Sequence, residues 1–454
     1  MARTVPIADG RPGNPGLGWL GIVRLGLIQA ALGAVVVLTT STLNRVLIVE
    51  LGLAAIIPGM LVGIHYAVQL SRPVWGHRSD LGGSRERWIL GGMALLACSG
   101  TLAAASPLAF KTSLALGFAI AIPAYMLIGV GIGACGTSLL ALIATRTTPA
   151  RRASAATITW MLMIAGIVAS SIITGHLLDP YSHPRLIAVT AGTGMVALLI
   201  SFLAVHGVER RTALVTAQAR SKAGSFRESL ADIWQDRHAR LFTVFVFLSM
   251  LAYSTQDLIL EPYAGLLFGM TPGESTRLSG IQHGGVLLGM AVVGISGWVF
   301  GQRSPRIAKL FIVWGCAGSA LAMAALATSV SFAPAWPLKA NVFLLGLMNG
   351  TFSVAAIGTM MMLAGEGRKD NAGMRMGVWG AAQAVAFGLG GVLGTIAFDL
   401  GRWATGQDAS AFAMVFGFEA VLFLLSTGLA LRITAPTPVR DKAEPLVAGP
   451  MAAE

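Results

Sequence analysis

The chain has 454 residues, of which 55% are hydrophobic and only 11% are charged. Soluble domains carry about 25% charged residues, so this composition excludes an ordinary soluble protein and indicates one that crosses a membrane many times. The net charge of +12 comes mostly from Lys and Arg in the two tails and in alternate loops. That distribution follows the positive-inside rule, so we expect the lipid bilayer as a partner and no nucleic acid.

Apolar windows long enough to cross a hydrocarbon core about 30 Å thick occur repeatedly along the chain. We therefore predict an all-α polytopic membrane protein with twelve transmembrane helices. The start of the chain has no apolar core, so we expect no cleavable signal peptide. The predicted helices cover 22–50, 54–76, 88–106, 115–145, 153–178, 185–206, 241–268, 277–300, 306–329, 337–364, 376–400 and 410–432.

A polar segment at 207–240 divides the predicted helices into two groups of six. A weak internal repeat supports this division, because a Ser-Thr pair followed by a polar residue occurs in both the first and the seventh helix. Such repeats are expected when two pseudo-symmetric halves surround a site near the middle of the membrane. The predicted organisation is a polar tail at 1–21, halves at 22–206 and 241–432 joined by a cytoplasmic linker, and a disordered tail at 433–454.

Polar side chains at bilayer depth mark the first helix as unusual: Asn44 and Arg45 lie within it and Glu50 lies at its edge. An ionisable side chain at the membrane centre costs about 2.5–3.5 kcal/mol on insertion and usually faces a functional interior. Arg45 and Asp257 occupy adjacent positions in the pseudo-equivalent first and seventh helices, so we predict a charge pair between the halves, with Asn44, Glu50 and Glu261 around it. The alternative is that Arg45 pairs with Glu50 in its own half or extends towards water.

The loop after the second predicted helix combines glycines, one acid and a basic cluster: Gly76, Asp80, Gly83, Arg85 and Arg87. It resembles the signature loop between helices two and three of the major facilitator superfamily, although Leu81 replaces the usual Arg after the acid. The resemblance implies the two-lobed fold of that superfamily and a loop that latches the halves together on the cytoplasmic side. The alternative interpretation is that these residues belong to an ordinary loop that follows the positive-inside rule.

Two motifs indicate a narrower family: TLNRVLIVEL, which begins at Thr42, and RPVWGHRSD, which begins at Arg72. They resemble the bacteriochlorophyll delivery family, the PucC-type branch of the superfamily, and look closest to the branch once labelled an accessory chain of bacteriochlorophyll synthase. The resemblance implies a non-enzymatic protein of the bacterial inner, photosynthetic membrane, with both termini cytoplasmic. It implies bacteriochlorophyll or a precursor as bound ligand, and bacteriochlorophyll synthase and antenna polypeptides as partners.

A chlorin pigment needs an apolar cleft and an axial nitrogen or oxygen ligand for its central magnesium. His65 lies about 16 Å from the cytoplasmic end of the second predicted helix, hence at mid-membrane, with Tyr66 beside it and Gln69 on the same face. His283 and Gln282 are adjacent in the eighth helix. We predict that these five residues bind pigment; the alternative for each histidine is a hydrogen bond that joins packed helices.

Glu419 is the lone acid of the twelfth predicted helix, which is usually peripheral in the superfamily. A carboxylate that faces lipid is costly unless another protein covers it, so we predict that Glu419 contacts a partner.

Three functions remain open at this point. The first is a carrier or chaperone that receives bacteriochlorophyll and passes it to antenna polypeptides. The second is a secondary transporter that moves a small amphipathic or anionic solute by alternating access and uses Arg45 and Asp257. The third is a structural scaffold for assembly.

Overall fold

The computed structural model describes residues 16–72, 75, 84–148, 151–211, 234–299, 305–366 and 372–433. In these ranges the chain forms twelve apolar helices and, after the sixth, one further helical turn at Val208–Arg211. The first six are α1 (Trp19–Glu50), α2 (Ile56–Gln69), α3 (Arg85–Thr112), α4 (Leu114–Arg146), α5 (Arg152–Leu177) and α6 (His183–Val205). The second six are α7 (Arg237–Phe268), α8 (Pro272–Val299), α9 (Pro305–Ser329), α10 (Leu338–Glu366), α11 (Ala372–Thr405) and α12 (Asp408–Arg432).

Eleven of these helices are long and apolar enough to cross a membrane, and α2 is shorter, with 14 residues. The all-α prediction is thus confirmed for the described part of the chain, because lengths of apolar sequence set the lengths of the helices. The predicted second helix, 54–76, differs most, since regular α-helix ends at Gln69 and a turn at Leu70 and Ser71 interrupts it before Arg72 and Trp75, which are again helical.

Each group of six helices has its own buried apolar core. Leu96 and Leu139 belong to the core of α1–α6, and Phe242 and Phe416 belong to that of α7–α12. Leu258 of α7 packs into the first core, so the two cores meet there. The residue boundaries predicted for the halves remain predictions, because the tails and most of the linker lie outside the described residues.

Glycines let some helix pairs approach closely, as expected in lipid, where small residues favour helix association. A Cβ atom on Gly92 of α3 would lie 2.6 Å from the amide nitrogen of Cys135 in α4. A Cβ atom on Gly346 of α10 would overlap the carbonyl oxygen of Gln282 in α8. The second contact restricts the rotation of α8, which carries two of the predicted pigment-binding residues, Gln282 and His283.

The middle of α1 departs from regular α-helix. Two π-helical stretches, Leu38–Thr42 and Val46–Glu50, flank the short α-helical piece Leu43–Arg45. The Tyr125 hydroxyl of α4 donates to the carbonyl oxygen of Thr39 at 2.9 Å, inside the first π stretch. Interruptions of this kind often occur at functional sites, and here they surround the buried polar pair Asn44 and Arg45.

Candidate functional site

The polar residues of α1 join the first half to the second. The Asn44 side chain, which is fully buried, donates from Nδ2 to the carbonyl oxygen of Leu258 in α7 at 2.5 Å. The hydroxyls of Thr42 and Thr276, in α1 and α8, lie 2.9 Å apart. A buried amide side chain needs a hydrogen-bond partner, so the bond from Asn44 to the Leu258 carbonyl specifies how α1 and α7 pack.

Arg45 is buried, and its guanidinium bonds to two groups near the end of α1. Nη1 lies 2.5 Å from Oε1 of Glu50, and Nη2 donates to the carbonyl oxygen of Met270 at 2.6 Å. The predicted pair of Arg45 with Asp257 is therefore wrong, and the pairing with Glu50 is the one that forms. The reason is geometric: the guanidinium lies against Gly265, about 12 Å further along α7 than Asp257.

Glu261 lies one helical turn beyond Asp257 on α7 and within electrostatic range of Arg45. Its Oε2 accepts a hydrogen bond from the Ser275 hydroxyl at 3.2 Å, and the Ser279 side chain also interacts with the carboxyl. Of the three residues predicted around the charge pair, Glu50 pairs with Arg45 and Glu261 lies near it. Asn44 binds α7 instead.

Asp257 faces the centre of the bundle, where aromatic side chains from both halves meet. It is half-buried and lies within electrostatic range of the hydroxyls of Tyr66 and Tyr253. The ring of Phe387 in α11 lies between these two tyrosines, with centroid distances of 6.1 Å to Tyr66 and 5.8 Å to Tyr253. We call Tyr66, Phe387 and Tyr253 the central aromatic row.

Tyr253 and Phe387 were not predicted from the sequence. Aromatic residues in apolar helices usually face lipid or a packed core, and their spacing does not separate those cases from a binding surface. The signal available for Tyr253 was its position four residues before Asp257, which places both on one face of α7.

His65 is buried and already hydrogen-bonded. Gln69 donates from Nε2 to Nε2 of His65 at 2.8 Å, and Oε1 of Gln69 accepts from Arg72. The Nδ1 atom of His65 is buried without a partner in the described part of the chain. His65 would have to release Gln69 before Nε2 could bind a metal, so its predicted ligand role has a competing hydrogen bond.

His283 is better arranged to act as a ligand. Nδ1 lies 2.9 Å from the carbonyl oxygen of Ser279, which can only accept, so Nδ1 carries the proton. Nε2 then keeps its lone pair, the state in which imidazole binds metals. The ring is half-buried on the α8 face that also carries Gly280, which lies close to α5 of the other half. Its neighbour Gln282 is buried, in the contact between α8 and α10.

Further polar contacts join the halves at the end of the bundle where odd-numbered helices finish, which we call the distal end. Arg277 of α8 donates to Oδ2 of Asp179 and to the carbonyl oxygen of Gly175, both at 2.9 Å. Oδ1 of Asp179 accepts from the Thr271 hydroxyl at 2.8 Å. In α11, Asp399 accepts from the amides of Ala55 and Ile56, at 3.0 and 2.7 Å, and so caps α2.

Three residues of the predicted latch loop, Gly76, Asp80 and Gly83, lie outside the described residues. Of the remaining two, Arg87 is exposed, and Nη1 of Arg85 donates to the Thr145 hydroxyl of α4 at 2.6 Å. The Arg85 amide also donates to Glu209, just after α6, at 3.1 Å. These contacts hold the loop's second end to its own half.

Glu419 is fully buried in the second half. The predicted contact of Glu419 with a partner is therefore wrong. On α12 it shares one face with Phe416 and Phe423, and both belong to the core of that half. Neither carboxyl oxygen has a partner among the described residues.

Comparisons with known proteins identify relatives of the chain. The family model described as PUCC protein matches residues 42–437. The bacteriochlorophyll synthase 44.5 kDa chain of Rhodobacter capsulatus is 49% identical over 421 residues, which cover 92% of this chain and 96% of that protein. Protein PucC of Cereibacter sphaeroides is 28% identical over 455 residues, which cover 95% and 97%. The resemblance predicted from the two motifs is confirmed.

The fold has counterparts of known structure. The D-xylose-proton symporter superposes with a TM-score of 0.67 over 91% of this chain and 97% of that chain, at 14% sequence identity. The prediction of the major facilitator fold is therefore confirmed. At this identity the likeness concerns the fold alone.

Proposed function

Because the chain belongs to the PUCC protein family, we propose that it binds bacteriochlorophyll or a precursor within the membrane and delivers it to light-harvesting or reaction-centre complexes. The chain is a bacterial membrane protein related to photosynthesis, as its relatives are. In this proposal it is a carrier rather than an enzyme. Bacteriochlorophyll synthase and antenna polypeptides are the proposed partners, and the photosynthetic inner membrane, with both termini cytoplasmic, is the proposed location.

The observation that carries the proposal is the hydrogen bond that fixes the His283 ring. With Nδ1 held by the Ser279 carbonyl, Nε2 keeps a lone pair and would hold the central magnesium of a bound chlorin. His65 offers no free lone pair of this kind, because Gln69 donates to its Nε2 and its Nδ1 then carries the proton. His283 therefore fits the proposed pigment, whereas His65 would first have to release Gln69.

The central aromatic row supports the same proposal. Large, rigid rings offer an apolar surface that matches the plane of a chlorin, and tyrosine adds a hydroxyl at its edge. Tyr66 and Tyr253 come from different halves and flank Phe387. A pigment bound there would contact both halves, and its release would depend on how they move relative to each other.

The test is the absorption spectrum of the protein purified in mild detergent from a phototrophic host. We expect far-red absorption from co-purified pigment, and at least a several-fold loss of it in His283→Ala. His176→Ala is the matched control, because its Nδ1 makes the same type of bond, to the Ile172 carbonyl at 2.7 Å, but its ring is exposed at the end of α5. A wild-type protein without pigment, or equal pigment in both variants, contradicts the proposal.

The alternative is secondary transport of a small amphipathic or anionic solute. It is favoured by the central carboxylate of Asp257, which remains without a salt bridge in the described residues, in a fold shared with a proton symporter. Proton-coupled uptake into pigment-free liposomes would support this alternative. Loss of antenna complexes on deletion of the protein, with no pigment ever bound, would instead indicate an assembly scaffold.

A further inference from the structure

The interior of the second half contains a group of buried polar side chains without partners. Both polar atoms of the Gln256 side chain, both carboxyl oxygens of Glu419 and Nδ2 of Asn349 lack a hydrogen bond within the described ranges. All three residues have 0% exposure. Buried polar groups in native proteins are nearly always paired, so such a concentration indicates an occupant such as water or an ion.

Aromatic contacts on both sides place Gln256 and Glu419 at one level of the bundle. Nearer the distal end, the Tyr263 ring of α7 lies 4.9 Å from that of Phe416 in α12. At the other side, Phe352 of α10 joins α7 to α12. Its ring lies 6.5 Å from that of Tyr253 and 5.8 Å from that of Phe423.

The polar residues lie between these two aromatic layers. Gln256 lies between Tyr253 and Tyr263 on one face of α7, and Glu419 lies between Phe416 and Phe423 on one face of α12. Since α7 and α12 pack against each other in opposite directions, the two residues occupy the same slab of the interior.

Two further helices complete this slab. Asn349 lies one turn before Phe352 on α10, and its Oδ1 accepts a hydrogen bond from the Ser319 hydroxyl of α9 at 2.7 Å. Ser319 is also fully buried. We call Gln256, Ser319, Asn349 and Glu419 the polar chamber; each of its four helices contributes one residue.

Burial first, and then the neighbouring charge, determine the state of Glu419. Within the described ranges, the charged group close enough to act on its carboxyl is Asp257, the residue next to Gln256 and of the same sign. The chamber's other residues are two amides and a hydroxyl, which carry no charge. Arg45 is engaged with Glu50 towards the distal end. An ionised Glu419 would thus be a buried carboxylate beside a second acid, an arrangement that a bound proton relieves.

We propose that the polar chamber is a proton and water site, in which Glu419 is a neutral carboxylic acid and buried waters connect it to Gln256 and Asn349. The amide groups supply donors and acceptors for such waters, each of which needs two to four polar partners. Because Asp257 borders both the chamber and the centre of the bundle, the site lies where the second half can take up or release a proton beside the central aromatic row.

Infrared spectroscopy at neutral pH tests the proposal, because a protonated carboxyl has a C=O stretch separate from the carboxylate bands. The difference spectrum between wild type and Glu419→Gln should contain this acid band, with a shift in D₂O. Gln preserves shape and neutrality, so the variant should fold. The Glu261→Gln variant identifies any acid band that comes from the buried carboxyl of Glu261 instead of Glu419. Glu274→Gln removes an exposed carboxylate and serves as the control. The absence of an acid band assignable to Glu419 would overturn the proposal.

A second measurement separates a proton from a metal cation. If the occupant is a proton, the melting temperature of the wild type should be the same in sodium and choline salts of equal ionic strength. A sodium-dependent increase that disappears in Glu419→Gln would overturn the proposal and identify a cation site instead. Both measurements use protein without pigment, so their outcome is independent of whether bacteriochlorophyll binds.

Discussion

Arg45 shows how a buried charge is stabilised at the level of single residues. Its guanidinium is satisfied by one carboxylate and one backbone carbonyl, from Glu50 in its own half and Met270 in the other. Removal of one partner leaves a buried cation incompletely paired, which costs more than the net strength of the bond itself. Arg45 therefore links the two halves through the Met270 carbonyl, with its charge neutralised by Glu50.

We predict that Glu50→Gln lowers the stability of the detergent-purified protein by about 1–3 kcal/mol, because a charged hydrogen bond to a buried group is lost. Thermal unfolding of Glu50→Gln, Arg45→Gln and the double variant measures the coupling between the two residues. The double variant should be close to Arg45→Gln alone. Asp257→Asn is the matched control; strong coupling of Arg45 to Asp257 rather than to Glu50 would refute the observed pairing.

The polar positions of the site could be predicted from the sequence, but their partners could not. Asn44, Arg45 and His65 stand out because polar groups are rare in apolar helices. Two carboxylates lay at plausible distances from Arg45, and the choice between them depends on the π-helical end of α1, which no local pattern specifies. Glu419 was predicted to face outwards because sequence does not give the rotation of a helix that is apolar on all sides.

At the scale of helices, the described polar contacts between the halves gather towards the distal end. They join α1 to α7 and α8, the end of α5 to α8, and α11 to the start of α2. Each is a hydrogen bond between elements of different halves, so separation of the halves at this end must break them together. The group that depends most on side-chain charge is Arg277 with Asp179.

We predict that Arg277→Ala increases opening at the distal end. Loss of a partly exposed ion pair and its bond to Gly175 should shift the equilibrium by about 1 kcal/mol, or roughly fivefold. The measurement is the labelling rate of Val49→Cys, a half-buried position near Gly265, in a Cys98→Ser background because Cys98 is exposed.

Arg402→Ala is the control for this labelling experiment, since it removes an ion pair at the same end, to Asp408 at 2.9 Å, that joins α11 to α12 within one half. Its labelling rate should stay at the wild-type value. Equal rates in both variants would mean that the Arg277 contacts do not hold the halves together.

Helix positions followed from the sequence more closely than helix interiors did. A continuous apolar stretch fixes where α7 or α12 begins and ends, because charged and polar residues remain at the membrane surface. The first π stretch of α1 contacts tertiary partners: the Tyr125 hydroxyl donates to the Thr39 carbonyl, and the Thr42 hydroxyl lies 2.9 Å from that of Thr276. Those partners are distant in sequence, so no local pattern reveals them.

At the scale of the whole molecule, the chain consists of two apolar cores that meet along a few helix pairs. The proposed pigment ligand, His283, lies on α8, and the central aromatic row takes residues from both sides of this boundary. If the protein delivers pigment by separating its halves at the distal end, a covalent bond across that end should stop delivery without preventing binding. The hydroxyls of Thr42 and Thr276, 2.9 Å apart, mark a suitable place for the bond.

We predict that Thr42→Cys with Thr276→Cys forms a disulfide on oxidation, since side chains in such contact allow the required Cβ separation of about 3.5–4.5 Å. The oxidised protein, in the Cys98→Ser background, should retain pigment but transfer at least several-fold less of it to antenna polypeptides added in detergent. Reduction should restore transfer. Thr42→Cys alone controls for loss of the hydroxyl contact. Normal transfer by fully oxidised protein would show that this end stays closed during delivery, and would place release at the opposite end of the bundle.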